Sequence, residues 1–108
     1  MPILQYTIGN LPASPLDAAC TFYQEQLARI RDDLDRLAQH DLVLVFRPAG
    51  FEHKAWRLAA VQELARELAP RRANAIASDD AAAVAKTLAY LENAPGVTGQ
   101  YLPLIQQA

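Results

Sequence analysis

The chain has 108 residues, 52% of them hydrophobic and 20% charged, enough for one domain with a real core and too few for two. Ten Lys and Arg against twelve Asp and Glu leave a net charge of -2, which provides no field to draw in nucleic acid or an anionic membrane. The single cysteine, Cys20, excludes an internal disulfide and a multi-cysteine metal cluster; with no apolar run of roughly 20 residues and no basic start at Met1-Pro2-Ile3, a cytoplasmic location without membrane contact is expected.

Residues 3–8 are a short apolar run with β-formers Ile3, Tyr6, Thr7 and Ile8, stopped by Gly9-Asn10, Pro12 and Pro15, and read as a strand entering a loop. Leu16, Cys20, Tyr23, Leu27, Ile30, Leu34 and Leu37 then recur at alternating steps of four and three, which puts all seven on one side of a long helix over 16–39. Ser14 is its expected N-cap, with Pro15 at the first helical position and Asp17 in the first turn; Gln39-His40 end it. Phe22, Ala19 and Ala28 lie beside this seam and add apolar surface to it.

Residues 42–46, Leu-Val-Leu-Val-Phe, are apolar without alternation, the mark of a strand covered on both faces in a parallel sheet. Arg47-Pro48-Ala49-Gly50 breaks it, and a helix follows over 52–69 with Trp56, Ala60, Leu64 and Leu68 at four-residue steps, ended by Pro70. Residues 73–77 are placed as a second buried strand. Ser78-Asp79-Asp80 caps a helix over 79–92 that carries Val84, Leu88 and Leu91 on one face. After turns at 93–96 and 98–99, residues 101–105 form a last strand, peripheral because Pro103 lacks a donor.

This alternation predicts one three-layer α/β domain over 1–108, a Rossmann-like half domain with a small parallel sheet of three to four strands, helices on both faces and right-handed crossovers.

Lys54-Ala55-Trp56 and Leu64-Ala65-Arg66-Glu67-Leu68-Ala69-Pro70 resemble the helix that begins at the catalytic lysine of the short-chain dehydrogenase/reductase family. Ala73-Asn74-Ala75-Ile76-Ala77 resembles the family's next strand, with Ser78-Asp79 in place of its Pro-Gly, and Val97-Thr98-Gly99-Gln100-Tyr101-Leu102 resembles its turn into the last strand. These motifs cover 42–104, with a looser match back to Ile3, so the chain is expected to resemble only the carboxyl-terminal half of that fold.

The resemblance implies a nicotinamide cofactor and a serine, tyrosine and lysine, and the sequence departs from it at each point but the lysine. Gly9, Gly50, Gly96 and Gly99 include no pair at the spacing of the family's Gly-x-x-x-Gly-x-Gly phosphate turn. The tyrosine should stand four residues before Lys54, where this chain has Gly50, and residues 47–54 contain no serine. A glycine has no proton to exchange.

The other reactive side chains read as structural. Lys54 is expected at the surface, and His53 beside Glu52 and His40 beside Asp41 at the surface or at helix ends; the two histidines make no metal spacing. Cys20 lies on the apolar seam as a small hydrophobe. Trp56 belongs to the core or to an interface, Arg71-Arg72 to a helix terminus, and none of Tyr6, Tyr23, Tyr90 and Tyr101 has a lysine four residues on.

No catalytic, cofactor-binding or metal-binding residue is assigned, and no cofactor is expected. The leading expectation is a non-catalytic dehydrogenase-like domain, a pseudoenzyme or small regulatory subunit, that acts through protein association as a homodimer or larger. A full-length dehydrogenase-like chain is a further candidate partner, and no nucleic acid is expected. The alternatives are an NAD(P)-dependent oxidoreductase subunit whose cofactor site and acid come from another chain, and a small-ligand binding module.

Overall fold

Six consecutive buried residues, the strand β2 (Asp41–Phe46), set the architecture, because a strand apolar on both sides needs a layer on each. The computed structural model describes residues 2–104. β2 pairs in parallel with β1 (Ile3–Thr7) on one side and with β3 (Ala73–Ala77) on the other, and β4 (Tyr101–Pro103) completes the order β1-β2-β3-β4. The four strands fulfil the expectation of a small parallel sheet, and β4 with its Pro103 is peripheral as expected. Ile105, assigned to that strand from sequence, lies outside the described residues.

One face of the sheet is covered by α1 (Pro15–Thr21), α2 (Leu27–Arg36) and α3 (Lys54–Leu68), which pack Phe22, Ile30, Leu34, Ala60, Val61 and Leu64 on Leu42, Leu44 and Phe46. The other face is covered by α4 (Ala81–Glu92), which sets Val84 and Leu91 on Val43, Val45 and Ile76. Since the strands advance in one direction while α4 lies opposite the earlier helices, the third crossover has the opposite hand to the first two. Uniformly right-handed crossovers were the expectation, and α4 departs from it for a packing reason. On the first face α4 would leave Val43, Val45 and Ile76 bare. Where α4 does not reach, β1 presents Gln5 and Thr7 to solvent.

The long helix departs from its simple spacing. Ser14 does cap α1, its hydroxyl accepting from the Asp17 N–H at 3.5 Å. Residues Phe22–Gln26 then form a π-helical turn in which Leu27 N–H donates to the Phe22 carbonyl, five residues back. The wider turn shifts the phase of everything before it. Ile30 and Leu34 are buried as the seam requires, but upstream the buried residues are Ala18 and Phe22, while Leu16, Cys20 and Tyr23 are exposed. Cys20 is thus a free thiol at the surface and not a seam hydrophobe, and Phe22 is a core residue and not an addition to exposed surface. Ala28 is exposed and Ala19 half-buried. The last helical residue is Arg36, and Leu37 is the C-cap, earlier than Gln39-His40.

The amino end of the sheet is fastened by two arginines. Arg71 donates to the Leu34 and Leu37 carbonyls at the end of α2. Arg72 pairs with the buried Asp41 carboxylate at 3.0 Å and donates to the Leu91 and Ala94 carbonyls at the end of α4. They do serve helix termini, those of α2 and α4 instead of the α3 they follow, and each opposes a negative dipole end. Removing one partner of such a buried pair costs about 3–5 kcal/mol.

The phase shift has a measurable consequence. Phe22→Ala removes a ring that is 0% exposed and is expected to cost about 3–5 kcal/mol in urea unfolding. Leu16→Ala, at a residue 80% exposed, should stay within about 0.5 kcal/mol. Equal losses would contradict the π-turn register.

Candidate functional site

The carboxyl ends of β1 and β2 open onto a cavity of about 320 Å³. Residues 9–13 beyond β1, residues 46–50 at the end of β2, and Glu52, His53 and Arg57 at the start of α3 form its walls. In parallel α/β sheets this is the end that binds ligands, since loops and the amino ends of the next helices converge there.

Aromatic packing positions the wall. Phe46, the last residue of β2, has its ring centroid 5.7 Å from that of Phe22, 5.6 Å from Trp56 and 6.5 Å from Tyr101. Trp56 is half-buried and packs on the core 5.6 Å from Phe22, one of its two expected environments. Its Nε1 donates to His53 Nδ1 at 3.0 Å, which leaves the imidazole proton on Nε2, 3.0 Å from the Ala13 carbonyl that accepts it. His53 is therefore a buried clasp between α3 and the loop after β1. Expected at the surface or at a helix end, it does stand at the N-cap of α3, but it is 6% exposed because Trp56 and residue 13 close over both of its nitrogens. His40 lies at the far end of the sheet, and the Asp41 carboxylate beside it is engaged by Arg72.

The position of the family's tyrosine is informative. A Cβ at Gly50 would fall 2.4 Å from Glu52 Oε2 and 2.6 Å from Oε1, so the Glu52 carboxylate fills the space in which a side chain would begin. Lys54 is exposed as expected, its ammonium 5.8 Å from the ring centre of the exposed Phe51. The Tyr23 hydroxyl is pushed above its ordinary value by partial burial and by the nearby Glu63 carboxylate, the wrong direction for a phenolate.

Sequence reasoning missed Arg57. It is 4% exposed, donates from Nη1 to the Arg47 carbonyl at 2.9 Å and to the Tyr101 hydroxyl at 3.2 Å, and lies with its guanidinium 4.5 Å over Phe46. The signal was present. Arg57 stands three and four residues before Ala60 and Val61 and seven before Leu64, on the buried stripe of α3, where a cation has to be accounted for.

The motifs that carry the resemblance build the sheet rather than the cavity. Buried Asn74 donates to the Val97 carbonyl and accepts from Gln100 N–H, Thr98 Oγ1 accepts from Ala73 N–H, and Gly99 turns the chain with a φ of 72°. That φ is one that side chains disfavour.

A second concavity, about 420 Å³, runs between the helices α1–α2 and α3, floored by Phe22, Leu27 and Leu64 and rimmed by Tyr23, Arg31, Glu63 and Glu67. Arg31 donates to both Glu67 oxygens, at 3.1 and 2.6 Å, and holds that carboxyl below its usual range.

Among the described residues no three His, Cys, Asp or Glu side chains gather as a metal site, and no helix is long and apolar enough to cross a membrane. Comparison with curated proteins and with solved structures gives no match. The sequence pattern of one family, described as Short chain dehydrogenase-like protein, matches residues 6–104. That span runs over nearly the whole chain and corrects the expectation of a likeness to the carboxyl-terminal half of the fold alone. The expectation rested on motifs within 42–104, whereas the earlier strand and helix carry few residues distinctive enough to read by eye. With the fold and the span in agreement, the chain belongs to the short chain dehydrogenase-like family.

Proposed function

We propose that this is a non-catalytic member of its family, a pseudoenzyme that acts as a homodimer. One observation carries the first half of that reading. Position 50, four before Lys54, has no side chain, and Glu52 occupies the space where one would start. A carbonyl reduction needs a proton donor there as well as a hydride source, and residues 47–54 offer no hydroxyl. His53 does not replace it, because both of its nitrogens are engaged in packing. An exposed, unpaired Cys20 thiol is consistent with a reducing, cytoplasmic setting.

Isothermal titration with oxidised and reduced nicotinamide dinucleotides is expected to give no binding tighter than ~10 µM, about 7 kcal/mol. Turnover of a panel of ketones and alcohols should equal the buffer blank. A tighter constant, or turnover above the blank, would overturn the non-catalytic reading.

Self-association is supported by the groove between α1–α2 and α3. It pairs an apolar floor with a rim of alternating charge, Arg31 and Arg66 against Glu63 and Glu67, which a two-fold copy can complement with the same residues. Leu16 and Tyr23 are exposed on the same helix. Tyr23→Asp, at a residue 44% exposed whose ring packs edge-on at 5.5 Å against Phe22, tests this with less loss to the core than a change at the fully buried Phe22 itself. Sedimentation is expected to show a dimer for the parent chain and a shift toward monomer for Tyr23→Asp with its circular dichroism unchanged. A parent chain that remains monomeric at ~100 µM, about 5.5 kcal/mol on the dissociation scale, would contradict it.

A further inference from the structure

Two arginines are largely withdrawn from solvent, Arg57 buried and Arg72 half-buried, and they are treated differently. Arg72 has a carboxylate at 3.0 Å and two carbonyls at 2.9 and 2.6 Å, the full complement expected of a structural cation away from water. Arg57 is 4% exposed and has no carboxylate within ion-pair distance among the described residues. Both of its hydrogen bonds leave from Nη1, to neutral oxygens, and Nε is buried without an acceptor. Stacking on Phe46 at 4.5 Å and Trp56 at 5.7 Å steadies the guanidinium but does not neutralise it.

A buried cation left without its counter-charge is destabilising, so a chain that keeps one in a cavity wall keeps it for something that enters the cavity. The surroundings suit an anion. Arg47 lines the same cavity, and Gly50 and His53 bring the amino end of α3 to it, which adds positive potential to that of Arg57. Both His53 ring nitrogens are engaged, one by Trp56 Nε1 and the other by the Ala13 carbonyl. Glu52 is the one carboxylate in the wall, and it lies over Gly50 instead of on Arg57.

We propose that this cavity binds a small oxyanion-bearing molecule, a carboxylate or a phosphate ester, with Arg57 as its counter-ion. At about 320 Å³ the cavity is at the low end of ligand sites, which limits the occupant to a small metabolite. The site does not depend on self-association or on the absence of dehydrogenase chemistry, and either of those readings can fail without it.

Thermal unfolding of the full chain with inorganic phosphate and, separately, with acetate tests the proposal, with ionic strength fixed by sodium chloride. At about five times the dissociation constant one of the two anions is expected to raise Tm by about 4–8 °C, saturably. Phosphate acting alone identifies a phosphate site, and acetate acting alone a carboxylate site. Arg57→Met is expected to lose the anion effect while melting, without anion, no lower than the parent, since it removes an unpaired buried charge for a side chain of similar length. Glu52→Gln should strengthen the effect by removing the opposing charge. Amide resonances of the parent chain give a readout that needs no variant. Residues 9–13 and 50–53 should shift with saturation as phosphate or acetate is added. The absence of a saturable shift with either anion, or a Tm rise of the same size in Arg57→Met, would overturn the proposal.

Discussion

The ring of Phe46 is the point on which the two ends of this account meet. As the last residue of a strand buried on both faces, it faces the helical layer that holds α1, α2 and α3, and it gathers Phe22, Trp56, Tyr101 and the Arg57 guanidinium around itself. These groups come from three parts of the chain, the turn after α1, α3 and β4, so one contact set fixes the first helix, the third helix and the last strand relative to β2. The π-helical turn is part of the same arrangement, because with its extra residue Phe22 comes to the buried side and Tyr23 is left outside.

The two ends of the sheet are finished in different ways. At the amino end Arg71, Arg72 and Asp41 satisfy the last carbonyls of α2 and α4, and Asn74, Thr98 and Gly99 close the turn into β4. Among the described residues the charged groups there are matched to one another or to carbonyls, while His40 Nδ1 is buried without a hydrogen-bond partner. At the carboxyl end the loops after β1 and β2 leave a cavity, and the arginine in its wall has no carboxylate paired with it among the described residues. Family membership and this asymmetry together separate inherited packing from local chemistry. The family-like residues maintain the fold, while the position four before Lys54 holds a glycine and Arg57 supplies a charge three residues after it.

Much of the fold was legible in the residues. The unbroken apolar run at 42–46 required a layer on each face, Ser14 and Asp80 capped their helices as their chemistry suggests, and Pro103 kept the last strand at the edge. What escaped the reading had physical reasons. A π turn adds one residue to a helix without changing its composition, so the spacing of Leu16, Cys20 and Tyr23 pointed to the wrong face. The side taken by α4 depends on which strand faces remain uncovered, which spacing within one helix cannot reveal. The helix-end place of His53 was readable but its burial was not, because its partners, Trp56 and the Ala13 carbonyl, include one 40 residues away. Arg57 was visible as a polar residue on an apolar stripe, whereas the absence of a carboxylate beside it among the described residues is set by tertiary packing that the sequence does not display.

The claim beneath these conclusions is that Arg57 is held buried and charged against Phe46. The side-chain Nε–H resonance of Arg57 in a proton–nitrogen correlation spectrum tests it most directly, because a proton held over an aromatic face is shifted upfield and shielded from exchange with water. The account predicts a resolved, upfield, slowly exchanging Arg57 signal that moves to the ordinary arginine position in Phe46→Leu. An Arg57 signal that coincides with the exposed arginines and exchanges as fast as they do would contradict it.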